Sequence, residues 1–161
     1  MTTSKLNNLV GTAGEYYVCA ELCRRGYLAL MTPKNNPVFD VVVTSRDGTK
    51  TISVQVKTRS IGNKQGWKLG VDMEDESHSK GLFVVLVNMH ETEAPDFYIY
   101  THKDLAKRVK AVYAAYIAEP KKDGSPKKEV GFRWFDDVSF TEDDHVRKNV
   151  WSAIEQSLQV A

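Results

Sequence analysis

Hydrophobic and polar positions alternate in blocks along the chain, and each block has its own period. Residues 5–25 read as a helix, in which Gly11, Val18, Cys19 and Leu22 share a stripe with Glu15, and Gly26 supplies a C-cap. Val10, Ala13, Tyr17 and Ala20 are also rather apolar, which predicts a helix covered on two sides. A short apolar run at 27–31 is followed by a loop, "PKNNP", at 33–37. Residues 38–44 and 50–58 read as strands around "SRDG", whose Asp-Gly favours a tight turn. Residues 60–79 are polar with no clear helical period, and "GLFVVLVNM" (81–89) is a continuous β-branched run suited to a central strand buried on both faces. "DFYIY" (96–100) is another strand, and residues 101–119 form a helix opened by Thr101 with Asp104 three residues on. A basic surface loop at 119–131 and a short strand at 132–135 lead to a last helix from about residue 141. Its apolar stripe is Val146, Val150, Ile154 and Leu158. The order is that of an α/β or α+β single domain.

Composition narrows the class without naming a function. A chain of 161 residues with 42% apolar and 27% charged positions can build one real core. Lys and Arg (22) nearly balance Asp and Glu (21), so any nucleic-acid surface must be local. No apolar run reaches the length of a membrane span, and "MTTSKLNNLVG" lacks the core of a signal peptide. Cys19 and Cys23, the only cysteines, offer no disulfide framework and too few ligands for structural zinc. Reduced, packed thiols in a cytoplasmic protein are the expectation.

The candidate chemistry sits where core side chains should be. Asp40 opens the first hairpin strand, and Gln55 and Lys57, two apart, share one face of the second. With the turn centred near 47–48, Asp40 falls opposite about position 55. Glu15 heads the core-facing stripe of the first helix, a second acid where a leucine is expected. Such groups on buried surfaces are costly unless something pairs or coordinates them.

Glu15 on helix one, Asp40 at a strand start and Gln55-Val56-Lys57 on the next strand together resemble the PD-(D/E)XK nuclease superfamily, over about residues 10–60. "WKL" (67–69), "FVVLVNM" and "PDFYIY" resemble a group of small bacterial proteins in it, with Q-x-K in place of (D/E)-x-K. The resemblance implies a restriction endonuclease-like core, a central mixed β-sheet flanked by helices with an added C-terminal helix. That core would span about residues 5–118, followed by the loop 119–131 and an extension at 132–161. It also implies an Mg²⁺- or Mn²⁺-dependent endonuclease acting on DNA, with RNA left open. Asp40 would be the metal-binding acid, its motif proline displaced to Pro37, and Glu15 the helix-one acid. Gln55 would be a neutral ligand, the Val56 main-chain carbonyl a further one, and Lys57 the cation that orients water or stabilises developing charge. Gln55 departs from the pattern and removes one negative charge from the site. Two cuts on a duplex would be simplest for a homodimer.

Plainer readings stand beside these. Asp40 and Lys57 would also make an ion pair at a sheet edge, with Gln55 merely exposed. Residues 50–71 carry Lys50, Lys57, Arg59, Lys64 and Lys68 with no acid, which suits a phosphate backbone or a solvated loop equally. Arg59, Lys64 and Lys68 are the candidate nucleic-acid contacts, whereas Trp67 is expected to cover the sheet. Lys103, Lys107 and Lys110 share a helical face that reads first as solvent-facing. Asp72, Glu74, Asp75 and Glu76 read as a solvated acidic turn, and His78, His90, His102 and His145 form no metal-binding pair. Two functions follow: a metal-dependent nuclease, or a nuclease-fold module that binds nucleic acid or protein without cutting.

Overall fold

The computed structural model describes residues 3–34, 36–77 and 81–159, with side chains of the first helix described from Asn8 onward. His78 lies outside the described residues. Helix α1 (Thr3–Arg24) is followed by β1 (Leu28–Met31), β2 (Val41–Thr44), β3 (Thr51–Arg59) and β4 (Trp67–Gly70). After a 3₁₀ turn come β5 (Leu82–Asn88), β6 (Asp96–Thr101) and α2 (His102–Ala118). Then β7 (Phe132–Phe135), a second 3₁₀ turn, α3 (Glu142–His145) and α4 (Ser152–Leu158) complete the chain. The architecture is α+β, a central mixed sheet flanked by helices, as expected.

The sheet runs β1-β2-β3-β5-β6, with β3 and β5 parallel and the other neighbours antiparallel. β5 is buried on both faces along nearly its whole length, as a β-branched run without alternation requires. Side chains alternate across β3, so its two faces join two cores. Val54 and Val56 pack with Val18 and Leu22 of α1 and Ile154 and Leu158 of α4. Val84 and Leu86, the partners of Gln55 and Lys57, pack instead with Trp67, Leu105 and Phe135 beneath α2.

α1 stops where its chemistry dictates. Gly26 takes φ +90°, its N–H bonds the Cys23 carbonyl, and Tyr27 N–H reaches back to Leu22 O at 3.1 Å, a Schellman end. At the other end of the fold Thr101 caps α2 by accepting from Asp104 N–H at 3.1 Å.

Four expectations are corrected. α1 is covered on one side only, because Tyr17 and Ala20 are exposed. The polar segment 60–79 is not without structure: β4 lies within it and pairs with β7, and Met73 is buried between Asp72 and Glu74. Glu74 is more than a solvated acid, for it holds the buried Arg133 guanidinium. The last helix is broken in two: Lys148 bridges Tyr98 on the edge of β6, and Asn149, at φ +59°, bonds Phe97 through both its backbone N–H and its side chain. Val146 and Val150 are left exposed, while Trp151, Ile154 and Leu158 are buried.

Candidate functional site

The hairpin register is the first result. Val41 pairs with Val54 as the last pair of the β2–β3 register, and Asp40 N–H, one residue earlier, bonds Val54 O at 2.9 Å. There β2 ends and its chain turns away. The next backbone donor on that edge, Val56 N–H, is taken by the Asp40 side chain, with Oδ2 accepting at 2.7 Å. The carboxylate thus replaces a missing strand acceptor and is held in the plane of the sheet, at the fork between β2 and β3. The Val56 carbonyl lies on the same strand edge as its N–H.

Glu15 comes to this fork from α1. Gly14 permits the approach: a Cβ there would sit 2.0 Å from Thr58 Oγ1 on β3, so only a glycine lets the helix backbone lie this close. Thr58 Oγ1 is buried with no hydrogen-bond partner among the described residues, which is a cost of that contact. Val18 and Leu22, both fully buried, fix the helix rotation below it.

Glu15 and Asp40 line one cleft of about 320 Å³, together with Gly11, Thr12, Thr32 and Lys34. Burial raises the proton affinity of the Glu15 carboxyl, the Asp40 charge raises it further, and Lys34 partly opposes both. Among the described residues neither acid has an ion-pair partner, and Lys34 Nζ rests 3.5 Å from Thr12 Oγ1. The site is therefore two carboxylates that repel one another, one fixed by a backbone amide, with Lys34 in the same cleft offsetting their charge only in part.

Gln55 and Lys57 do not line that cleft. Strand alternation puts them on the α2 side of the sheet, while α1 lies on the Val54 and Val56 side. Asp40, in the sheet plane, is the link between the two halves. Gln55 is buried, Lys57 half-buried, and neither makes a hydrogen bond or ion pair among the described residues. The edge ion pair between Asp40 and Lys57 is thus not formed.

The three candidate nucleic-acid contacts now have positions. Arg59 is occupied inside the fold: it donates to Asn88 Oδ1 at 2.7 Å, pairs with Asp137 at 2.9 Å and lies 4.4 Å over the Trp67 ring. That corrects its reading as a phosphate contact, because a buried, paired guanidinium presents no free fork. Lys64 and Lys68 are exposed. Lys34 was not picked out by spacing, since a lysine in a short loop carries no periodic signal. Gly14 did carry one, a glycine inside a helical pattern marking close packing.

No three His, Cys, Asp or Glu side chains among the described residues converge as a metal site on their own. Any ion here would need the amide and main-chain oxygens as well. No helix among the described residues is long and apolar enough to cross a membrane.

No protein-family model matches the chain, and no curated protein matches it. Among solved structures it is similar to a bacterial homing endonuclease, I-Ssp6803I, at 15% identity over 92% of each chain, with a TM-score of 0.49. It is also similar to Hjc, a Holliday junction resolvase from Archaeoglobus fulgidus, at 15% identity over 81% of this chain and 86% of that one, with a TM-score of 0.45. Both scores lie below 0.5, and neither likeness bears on what this chain does.

Proposed function

We propose that the chain is a divalent-metal-dependent nuclease that hydrolyses phosphodiester bonds in DNA. The observation that carries this reading is the Glu15–Asp40 pair, in which Asp40 raises the proton affinity of Glu15 across a shared cleft and Lys34 offsets this only in part. Two carboxylates held together without a cation are costly unless a ligand relieves them. The donor set suits a hard ion such as Mg²⁺ or Mn²⁺, which prefers oxygen. Asp40 and Glu15 would hold it, with the Val56 carbonyl and the Gln55 amide oxygen as neutral donors. When bound, such an ion offsets phosphate charge and makes water a stronger nucleophile near neutral pH.

The chain's own residues divide the remaining work. Val56 N–H holds Asp40 in one orientation, so its free oxygen faces the cleft without rearrangement. Lys57, without an ion-pair partner among the described residues, would meet the charge developing on the phosphate from the α2 side of the fork. Gln55, buried on the α2 side of β3, would offer a neutral oxygen without adding a third negative charge.

The test is a cleavage assay on single-stranded, duplex and branched DNA with Mg²⁺ or Mn²⁺, beside Asp40→Ala and Lys57→Ala. Metal-dependent cutting that falls by about 100-fold or more in both variants is expected. If the wild type and both variants behave alike, the catalytic reading is dropped. The chain is then a nuclease-fold module that binds without cutting.

A further inference from the structure

A second cleft, away from the carboxylates, lies between α2, β7 and the loop that joins β3 to β4. Its volume is about 520 Å³, within the roughly 300–1,000 Å³ of small-ligand sites. Tyr113, Tyr116, Phe132 and Trp134 line it, with Lys64 and Gln65 on the loop side. Trp67 and Trp151 are buried, whereas Trp134 is only partly covered and Tyr116 is half open to solvent. What marks this surface is that four rings gather on one cleft, since contiguous apolar surface rather than a single exposed ring is what signals a binding site.

Cations accompany the rings. Lys68 Nζ sits 4.4 Å over Phe132, and Lys127 Nζ sits 3.9 Å over Tyr116 and 3.7 Å from Glu119. The Arg133 guanidinium lies 3.3 Å over Tyr113 and fixes that ring. Asp136 is the one acid lining the cleft among the described residues, and Oδ1 accepts from Ser139 N–H at 3.1 Å. The segment carrying Lys64 and Gln65 joins β3, the strand of Gln55 and Lys57, to β4.

We propose that this cleft seats an unpaired nucleobase of a bound nucleic-acid strand. Aromatic walls stack on a base face whatever its sequence, and ammonium groups beside them meet the flanking phosphates. The base faces of a continuous duplex are stacked on their neighbours, so single-stranded or locally opened DNA is the substrate class that fits. A proline-rich peptide would use the rings but leave the lysines without a role. The inference rests on nucleic acid being the partner proposed above.

The experiment is fluorescence anisotropy in a metal chelator, where no cutting occurs. It uses a labelled oligothymidylate, an abasic strand of equal length and a blunt duplex. The oligothymidylate is expected to bind about tenfold or more tighter than the abasic strand. Trp134→Leu and Tyr116→Leu, checked for folding by thermal melts, abolish that preference, and Trp134→Phe, which keeps a stacking face, retains it. Equal affinity for the base-bearing and abasic strands, or an unchanged preference in both leucine variants, overturns the inference. So does a polyproline peptide that binds, and is lost in those variants, while no base preference exists. Base preference without cleavage in the earlier assay sinks only the nuclease reading; cleavage without base preference sinks only this one.

Discussion

Asp144 and the Glu15–Asp40 pair are carboxylates drawn in from solvent, and their surroundings differ in kind. Asp144 is fully buried and surrounded by donors: Arg108 Nε at 2.9 Å, Tyr100 OH at 3.0 Å, Thr141 N–H at 2.8 Å and Thr141 Oγ1 at 3.0 Å. Burial alone would raise its pKa, but the bonds from Arg108 and Thr141 outweigh it and hold the carboxyl below the ordinary range. Glu15 is raised, by burial first and by a second carboxylate next. A carboxylate kept for structure is given its cations by the chain itself. One left facing its own kind in a cleft has room for a cation from elsewhere, and that contrast is the physical case for a metal site at the fork.

The contrast can be broken from either side. Asp144→Ala should be the most damaging change, since it leaves the half-buried Arg108 guanidinium without its carboxylate and the Tyr100 hydroxyl and Thr141 N–H without their acceptor; a loss of about 3–5 kcal/mol in urea unfolding is expected. The same group sets an acid limit. Its folded pKa lies below the ordinary 3.8, so its contribution is complete above that value and is lost as pH falls through the lowered one. Urea midpoints of the wild type should therefore drop on acidification, and those of Asp144→Ala should drop less. Gly14→Ala should cost about 1–3 kcal/mol, because the new methyl meets Thr58 and pushes α1 off β3. It should also weaken any cation binding, by moving Glu15 from Asp40. Glu15→Gln should have the smallest effect and the opposite sign. Its carboxyl is raised above 4.5, so as pH climbs through the folded value it ionises at a cost to the fold. At neutral pH without metal, the glutamine variant should melt at or slightly above the wild-type temperature. A clear drop instead would mean that Glu15 has a structural partner.

Local chemistry was legible in the sequence, and long-range assembly was not. The end of α1 at Gly26, the Thr101 cap, the buried run of β5 and the hairpin that brings Asp40 beside β3 all follow from residues within one or two elements of each other. The β4–β7 pairing joins Trp67 to Phe135, and nothing local in either strand announces the other. Asp144 is the N3 partner in the Thr141 capping box, a local role, but its burial depends on Arg108 and Tyr100 arriving from α2 and β6. The broken last helix has the same origin, because the edge of β6 competes for the backbone at Lys148 and Asn149. At the site, alternation correctly grouped Gln55 with Lys57. It did not say which face α1 would cover, and so did not separate them from Glu15.

The most direct test of the central claim is calorimetric titration of the metal-free protein with Mn²⁺, set beside Asp40→Asn and Glu15→Gln. The account predicts saturable binding to the wild type that is weakened at least tenfold in each variant, because each removes one charge from the pair. Heats that are the same in all three proteins, or absent from the wild type, would contradict it. The two acids would then share a cleft without holding an ion.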